Sequence, residues 1–216
     1  LDDGSLKCWG QNSQGQLGIG STTNQNTPQT VTLGTGRTAE SVSLGQYHTC
    51  AVLDDGSLKC WGYNYYGQLG LGSTTNQNTP QTVTLGTGRT AVSVSLGDYH
   101  TCAVLDDGSL KCWGYNVYGQ LGIGSTTNQN TPQNVTLGTG RTAVSVSLGS
   151  GHTCAVLDDG SLKCWGQNSQ GQLGLGSTTH QTTPQNVTLG TGRTAVSVSL
   201  GTYNTCAVLD DGSLKC

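Results

Sequence analysis

The sequence predicts an all-β protein assembled from copies of one small four-stranded unit. The first observation is a strict period of 52 residues, since LDDGSLKCWG begins at Leu1, Leu53, Leu105 and Leu157. The second is that apolar residues alternate over short runs, and no segment shows the 3.6-residue period of an amphipathic helix. The third is the presence of 34 glycines, which divide the chain into short segments. These observations favour stacked β modules.

The repeats divide the chain into four units and a stub. The units are residues 1–52, 53–104, 105–156 and 157–208, and residues 209–216 open a fifth copy. One copy is too small to bury a core by itself, so each copy must bury its apolar surface against its neighbours. The structure is therefore predicted one repeat at a time.

A predicted β-hairpin spans the boundary between the first and second copies. Residues 49–53 (TCAVL) and 58–61 (LKCW) alternate in polarity, and the DDGS segment that joins them is a tight turn. Three-residue hairpin loops commonly combine a type I turn with a left-handed glycine. With Gly56 in that role, Leu53 faces Ser57.

The rest of the copy supplies two more strands. Residues 62–78 are too rich in Gly and Asn for regular structure, so we predict a long loop that ends near Pro80. Residues 81–85 (QTVTL) and 91–96 (AVSVSL) alternate and carry β-branched side chains, which predicts a strand over each. Four short strands per copy are what a blade of a β-propeller requires. The pattern leaves open whether the blades close a ring or form an open spiral.

Composition argues against two classes of partner. Charged residues make up 10% of the chain and the formal net charge is −3, so no basic stripe exists to neutralise a phosphate backbone. No apolar run approaches the roughly 20 residues that a membrane-spanning helix needs. Neither nucleic acid nor membrane insertion is expected. The sequence contains no Met, and we therefore expect a mature product or a piece of a longer chain.

The nine cysteines follow the repeat, with separations that alternate between 10 and 42 residues. In the predicted register Cys50 lies opposite Cys60 at a non-hydrogen-bonded pair, where Cα atoms are about 4.5 Å apart and a disulfide fits. Two alternatives are buried reduced thiols and a zinc site, although no C-x-x-C spacing occurs. The predicted disulfides are Cys50–Cys60, Cys102–Cys112, Cys154–Cys164 and Cys206–Cys216. Disulfides imply an oxidising compartment, so we expect a secreted, extracellular or cell-surface location.

Cys8 has no hairpin partner in its own copy. Its partner strand would precede residue 1, so either the chain belongs to a longer array or Cys8 bonds to Cys206 by ring closure, which displaces residues 209–216. Neither end carries an atypical capping repeat, and exposed strand edges invite pairing with another chain. We expect a homo-oligomer, a segment of a longer array, or a closed four-bladed ring.

The residues that could do chemistry recur in every copy, and we interpret them as structural. His48, His100 and His152 occupy one position of the repeat, where the fourth copy has Asn204. The alternative is a metal-binding ring of histidines. The Asp-Asp-Gly turns could suggest calcium, but Asp before a left-handed Gly is ordinary turn chemistry. A catalytic site is usually one asymmetric constellation, so we predict no enzyme, no cofactor and no metal site. His180 stands alone in a loop and is predicted to be exposed.

Variation between the copies is concentrated in a few loop positions. Several lie directly after Trp-Gly or directly before the recurrent His, and they hold most of the eight tyrosines. Tyr is favoured at contact surfaces because its ring offers a large area at low entropic cost and its hydroxyl adds a hydrogen bond. Free drift of loops after duplication explains the same pattern without a function. The candidate partner-binding residues are Tyr63, Tyr65, Tyr66, Tyr99, Tyr115 and Tyr118.

Three motifs give the repeat a family resemblance. The segment SVSLGQYHTCAVL (residues 41–53), the DDGSLKCWG that follows it, and QNSQGQLGIG (residues 11–20) with its equivalents resemble the repeat of the regulator of chromosome condensation family. In particular, the repeat looks like that of cysteine-bearing bacterial members that are predicted to be exported. All 216 residues fit this pattern. The resemblance implies four-stranded blades in a propeller, most often a seven-bladed one.

The resemblance implies no single activity. The family includes a guanine-nucleotide exchange factor, a plant ultraviolet-B photoreceptor, ubiquitin-ligase accessory domains and a secreted β-lactamase inhibitor, so the fold does not settle the function. The exchange factor relies on charged loops and an inserted wedge, and the photoreceptor on dense clusters of Trp with Arg; this chain has neither. We expect a non-enzymatic extracellular scaffold that acts by self-assembly or as a structural array. The alternative is a recognition module that binds a protein or a glycan through its tyrosine-rich loops.

Overall fold

The computed structural model describes residues 4–216, so the start of the first repeat at Leu1-Asp2-Asp3 lies outside the described residues. The described part contains seventeen strands, and no helix in it could span a membrane. The strands are β1 (Lys7–Gly10), β2 (Gln25–Thr30), β3 (Ala39–Leu44), β4 (His48–Leu53), β5 (Leu58–Gly62), β6 (Gln77–Thr82), β7 (Ala91–Leu96), β8 (His100–Leu105), β9 (Leu110–Gly114), β10 (Gln129–Val135), β11 (Ala143–Leu148), β12 (His152–Leu157), β13 (Leu162–Gly166), β14 (Gln181–Asn186), β15 (Ala195–Leu200), β16 (Thr205–Leu209) and β17 (Leu214–Lys215).

Three complete blades and two incomplete ones follow one another along the chain. The complete blades have the strand orders β3-β4-β5-β6, β7-β8-β9-β10 and β11-β12-β13-β14, all antiparallel. β1 pairs only with β2, and β15, β16 and β17 form a three-stranded sheet. The predicted all-β fold of four-stranded blades is confirmed. Each complete blade takes two strands from one 52-residue copy and two from the next.

The first strand of each blade lies nearest to the other blades. β3, β7 and β11 each contact the equivalent strand of the next blade, and loops at the ends of β3, β7, β11 and β15 surround a common opening. The strand QNTPQT or its equivalent is the outer edge and is largely exposed. Such an order gives every blade an inner side that faces the axis and an outer side that faces solvent.

The outer strand differs from the prediction. It was expected over residues 81–85, but β6 is Gln77–Thr82 and pairs with β5 from Gln77↔Gly62 to Lys59↔Thr82 across a bulge. Pro80 is tolerated because an edge strand has one side without sheet partners. The alternation of Val83 and Leu85 does not arise from a strand. Both side chains are 4% exposed, because they pack in the core cluster between two blades.

The core lies between blades and not within them. One cluster joins Cys50, Val52 and Leu58 of one blade to Leu105 and Trp113 of the next. The indole Nε1 of Trp113 donates a 2.9 Å hydrogen bond to the carbonyl oxygen of Gln68 in the preceding blade. A propeller of small units is therefore held by interfaces between successive blades, as expected for modules that cannot bury a core alone.

The hairpin turn sets the register of the cysteines. The amide of Leu53 donates to Ser57 O at 2.9 Å, and Gly56 has a φ of 72°. Cys50 pairs with Cys60 across β4 and β5, with Cα atoms 4.1 Å apart. The structure places disulfide bonds at the four predicted pairs, and Cys8 is a free thiol.

Candidate binding surface

The two edges of each blade carry different kinds of residue. In an antiparallel sheet, the end of the first strand, the start of the second and the end of the third share one edge. The residues that vary between copies, which are 46–47 and 63–66 in this blade, lie at that edge. The invariant Asp-Asp-Gly turn joins the second and third strands at the opposite edge. The corresponding edges of successive blades together form one face of the propeller. Variation between the copies is therefore concentrated on that face.

Seven tyrosines form a continuous cluster on this face, which we call the tyrosine surface: Tyr47, Tyr63, Tyr65, Tyr66, Tyr99, Tyr115 and Tyr118. The rings contact one another in sequence across two complete blades. The shortest separation is 4.7 Å between the ring centroids of Tyr66 and Tyr115, which belong to different blades. Tyr63 contacts Tyr47, Tyr65, Tyr66 and Tyr99 at 6.2–6.4 Å. The six tyrosines predicted from sequence thus lie together, and Tyr47 joins them.

The tyrosine surface combines exposed and half-buried rings. Tyr65 is 67% exposed, and the others are of intermediate exposure. Desolvation raises the pKa of Tyr63, Tyr99 and Tyr115 above 10.0, and neighbouring tyrosines and Asp98 add to the effect at Tyr99. These three phenols are therefore uncharged near neutral pH and act as hydrogen-bond donors and acceptors. Edge-to-face ring pairs of this kind also stabilise the cluster.

A buried polar frame holds the loop that carries three of these tyrosines. Asn64 is fully buried, and its side chain donates to the carbonyl oxygens of Ser73 and Thr75 and accepts from the amide of Leu69. Gln68 accepts from the amide of Tyr66 at 3.0 Å. Equivalent bonds recur in the first and fourth copies, where the loop bears Gln and Ser in place of Tyr. The frame is common to all copies, and only the side chains displayed on it change.

The loops between the first and second strands surround an opening near the axis. Gln46, Asp98, Ser150 and Thr202 line it at equivalent positions, and Ser150 donates a hydrogen bond to Asp98. This is the one column of the repeat in which all four copies differ. Sequence reasoning noticed the variation but did not place it at the axis, because the curvature of the blades brings the four loops together.

His180 is exposed, as predicted, and it extends the surface. Its ring centroid lies 5.2 Å from that of Tyr118, and its Nδ1 accepts from the amide of Asn168. The other copies have Asn at this position, and Asn24 and Asn76 make the same bond through their side-chain oxygens. The exposure of His180 was predicted, but its contact with Tyr118 was not, because the two residues lie far apart in the sequence.

The recurrent histidines are buried between blades and do not face a ligand site. His48 Nε2 lies 3.0 Å from Thr101 Oγ1 of the next blade. Desolvation lowers the pKa of His48 to about 3, so the ring is neutral. Within residues 4–216, no group of three or more His, Cys, Asp or Glu side chains could hold a metal ion. This geometry fits the interpretation of the histidines as structural.

The Asp-Asp-Gly turns are engaged in local bonds. Arg37 Nη1 lies 3.2 Å from Asp54 Oδ2 and 3.0 Å from Asp55 Oδ2. Asp55 also accepts from the amide of Ser57, and hydrogen bonds from Ser57 lower the pKa of its carboxyl. The carboxylates that could have suggested calcium are therefore occupied by an arginine and by the turn itself.

Comparison with known proteins agrees with this architecture. The model of the RCC1-like domain matches residues 1–216. The chain is 36% identical over 208 residues to the ultraviolet-B receptor UVR8 of Arabidopsis thaliana, which covers 96% of this chain and 47% of that protein. It is 31% identical to the human E3 ubiquitin-protein ligase HERC2 over 98% of this chain and 4% of that protein. The chain thus spans less than half the length of the curated relatives that it matches.

Solved structures show the same arrangement of blades. Human WBSCR16 superposes with a TM-score of 0.85 at 23% identity, over 96% of this chain and 54% of that chain. Yeast RCC1 (Prp20) bound to Kap60 superposes with a TM-score of 0.84 at 20% identity, over 98% of this chain and 51% of that one. The blades described here therefore follow the curvature of about half of those chains. By its sequence and its blades, this chain belongs to the RCC1-like domain family.

Proposed function

We propose that this protein is a non-enzymatic recognition module that binds a protein partner through the tyrosine surface. The observation that carries the proposal is the continuous contact of seven tyrosine rings on the face where the copies differ. Tyrosine is enriched among the few residues that supply most of the binding energy at protein interfaces. In the first and fourth copies the loop columns after Trp-Gly hold Gln and Ser, so the cluster is confined to part of the face.

The chemistry of the face favours a protein. The phenol hydroxyls allow hydrogen bonds around an apolar centre, which matches the core and rim of many interfaces. The yeast RCC1 structure was solved bound to Kap60, and the work on Prp20p concerns its binding to Gsp1p and histones. Those partners belong to those proteins. They support the class of function, because propellers of this family can engage other proteins.

Tyr65→Ala combined with Tyr66→Ala tests the proposal. A phage-displayed peptide library is selected on the immobilised chain, and the affinity of enriched peptides is measured for each variant. We expect the double variant to lose about 30-fold or more, because residues at the centre of an interface cost about 2 kcal/mol or more on truncation. Ser169→Ala with Gln170→Ala is the matched control, since it changes the same two columns of the fourth copy.

Two outcomes would contradict the proposal. Peptides whose affinity is equal for both variants would show that the tyrosine surface is not the binding site. A glycan array that gives specific binding lost only in the tyrosine variant, with no peptide enriched, would reassign the surface to a glycan. Circular dichroism of both variants checks that the blades remain folded.

An oxidising compartment, extracellular or at the cell surface, is proposed for the location. Its support is the four hairpin disulfides, whose Cα atoms are 4.1 Å apart in every case. Disulfides of this kind persist outside the cytosol. Alkylation of the protein in intact cells before lysis tests the location, and alkylation of the eight cysteines that form these disulfides would contradict it.

A second candidate function is a structural array formed by self-assembly. The observation that favours it is the exposed outer strand of each complete blade, such as β6 (Gln77–Thr82), which has a sheet partner on one side only. Exposed strand edges are templates for pairing with another chain. This candidate is separable from recognition, because the tyrosine surface is formed by loops on one face of the blades, whereas the outer strands are a different part of each blade.

A further inference from the structure

Most acidic residues of the chain lie at the edge of the blades that carries the Asp-Asp-Gly turns. Ten of the twelve belong to the five turns, two in each, and the other two are Glu40 and Asp98. Four arginines pair with turn aspartates at N–O separations of 2.8–3.9 Å. These arginines are Arg37, Arg89, Arg141 and Arg193. Opposite charges therefore compensate one another at that edge.

The tyrosine surface lies at the opposite edge, and Asp98 is beside it, in the loop between β7 and β8. Glu40 lies near the turns, because it follows Ala39, which pairs with Leu53 just before a turn. The five lysines also lie toward the turns, since each is the second residue of an LKC segment that follows a turn. Within residues 4–216, the edge with the tyrosine surface therefore has one carboxylate and no lysine or arginine.

The carboxylate of Asp98 is held at the margin of the tyrosine surface. Its side chain is of intermediate exposure, and Oδ2 accepts a hydrogen bond from Ser150 Oγ of the next blade. Oδ1 makes no hydrogen bond or ion pair within residues 4–216. Burial, the neighbouring Tyr47 and the charge of Asp98 together raise the pKa of Tyr99, so the carboxylate lies close to that phenol. One oxygen of Asp98 is thus fixed by Ser150, and the other is free to accept from a ligand.

Tyr99 lies at the centre of the tyrosine surface. Its ring centroid is 5.4 Å from that of Tyr66 and 6.2–6.5 Å from those of Tyr47, Tyr63 and Tyr115. Within the described part of the chain, the tyrosines of this surface form hydrogen bonds through backbone atoms and none through a hydroxyl. Aromatic rings and unpaired hydroxyls therefore adjoin the free oxygen of the carboxylate.

A partner that covers the tyrosine surface must also compensate the charge of Asp98. Covering a carboxylate removes its water, and a buried charge without a counter-charge is costly. The chain has no lysine or arginine at this edge within residues 4–216, so the counter-charge must come from the partner. The rings add to the preference, because the negative face of an aromatic ring attracts a cation within about 6 Å. A cationic group is therefore favoured, and an anionic one is repelled.

Arginine meets these conditions better than lysine does. Its guanidinium is planar, stacks on aromatic rings and is weakly hydrated, so it loses little when it is covered. It also carries five N–H donors, which allows bonds to Asp98 Oδ1 and to tyrosine hydroxyls at the same time. The ammonium of lysine is compact and strongly hydrated, and it cannot stack in this way.

We propose that the protein partner of the tyrosine surface binds through an arginine side chain, which stacks on the ring of Tyr99 and donates to the carboxylate of Asp98. The proposal rests on the recognition function proposed above and specifies the ligand of that surface. The other tyrosines contact the residues that flank the arginine. Ser150 contributes by holding the carboxylate in place through Oδ2.

Parallel selections from one phage-displayed library of random peptides test the proposal. The immobilised proteins are the wild type, Asp98→Asn and Glu40→Gln. Asn at position 98 retains an oxygen that can accept from Ser150, and Glu40→Gln is the matched control because it removes the same formal charge at an exposed position near the turns. We expect arginine to be enriched about 3-fold or more on the wild type and on Glu40→Gln, but not on Asp98→Asn, because only Asp98 needs its charge.

A peptide series separates charge from stacking. The most enriched peptide is synthesised with arginine, lysine or citrulline at the selected position, and each affinity is measured by titration calorimetry. On the wild type, citrulline should lose about 10-fold because it keeps the planar shape without the charge. Lysine should lose about 5-fold because it keeps the charge without the stacking. On Asp98→Asn, arginine and citrulline should bind within about 2-fold of each other, since no counter-charge remains.

The outcomes distinguish this proposal from the recognition function on which it rests. Peptides that lose affinity for the Tyr65→Ala and Tyr66→Ala variant but show no preference for arginine would overturn the arginine proposal and leave recognition standing. Equal preference for arginine on the wild type and on Asp98→Asn would overturn the role of Asp98. If no peptide depends on the tyrosines, both proposals fail. The peptide series on the wild type uses no variant protein, so its result holds even if Asp98→Asn is misfolded.

Discussion

His48 Nε2 and Thr101 Oγ1 form a 3.0 Å hydrogen bond across the boundary between two blades. The Thr101 hydroxyl donates its only proton to Gln68 O at 2.9 Å, so Thr101 must accept from His48. His48 is therefore neutral and protonated on Nε2, while its buried Nδ1 has no hydrogen-bond partner. The same pair recurs as His100 with Thr153 and His152 with Thr205.

Protonation of these histidines should destabilise the blades in mild acid. Burial lowers the pKa from 6.5 to about 3 for His48 and His100, and to about 4 for His152. The unfolded chain therefore binds more protons below pH 6.5, and the free energy of unfolding falls as pH drops from about 6.5 toward 3. Each histidine contributes a slope of about 1.4 kcal/mol per pH unit within that window. Urea unfolding at a series of pH values measures the slope.

His100→Asn isolates one contribution. The fourth copy has Asn204 at the equivalent position, so this substitution follows the repeat itself. We expect the slope between pH 6.5 and 4.5 to fall by about a third, since one of three buried histidines is removed. His180→Asn is the matched control, because the other copies have Asn at that exposed position. An unchanged slope in His100→Asn would disprove the role of burial.

Thr101→Val should separate the polar contact from packing. The substitution keeps the shape of the side chain but leaves His48 Nε2–H and one bond to Gln68 O without a partner. Buried donors left unsatisfied cost about 1–3 kcal/mol each, so we expect a loss of that order in the free energy of unfolding. Thr84→Val at an exposed position should change it by less than about 0.5 kcal/mol. Equal effects of the two substitutions would contradict this reasoning.

The register of the hairpin was predictable because a short turn determines it. With Gly56 left-handed and Leu53 facing Ser57, Cys50 can only come opposite Cys60. The outer strand was not predictable in the same way. The alternation at Val83 arises from burial in the core between blades, whereas the strand itself is polar and contains proline. Alternating polarity indicates alternating burial of side chains, and in this fold some of the alternately buried residues lie outside the strands.

The tyrosine surface was predictable residue by residue but not as a surface. Tyr65 and Tyr66 stand out because their columns hold Ser and Gln in the first and fourth copies. The approach of Tyr66 to Tyr115 depends on the angle between neighbouring blades, which no local pattern encodes. The contact of His180 with Tyr118 was not predictable for the same reason, since it crosses from one blade to the next.

Gly70→Ala should weaken a blade interface by obstructing the indole of Trp113. The new Cβ would lie 2.7 Å from Trp113 Nε1, and the φ of 73° disfavours any side chain. Backbone strain alone costs about 1–2 kcal/mol, and overpacking adds about 1–3 kcal/mol. Chemical denaturation should therefore show a larger loss than in Gly88→Ala, where φ is 68° and nothing lies within 4 Å. Equal losses would mean that the indole moves aside without cost.

Removal of one hairpin disulfide tests how much the covalent bonds add to the interfaces. Cys102→Ala with Cys112→Ala opens a loop with a sequence separation of 10 residues. On the chain-entropy model a loop of this size contributes about 2.8 kcal/mol to the free energy of unfolding. Both sulfur atoms also lie in the fully buried core, so lost packing adds to the change. Denaturant unfolding without reductant measures the total.

Cys8→Ala is the control, because Cys8 is a free thiol of intermediate exposure. At protein concentrations where the chain is monomeric, this substitution should change the free energy of unfolding by less than about 0.5 kcal/mol. A double variant at Cys102 and Cys112 that is no less stable than Cys8→Ala would show that the hairpin is already fixed by its turn. In that case the disulfide adds little to the free energy of unfolding, and packing between the blades determines the stability.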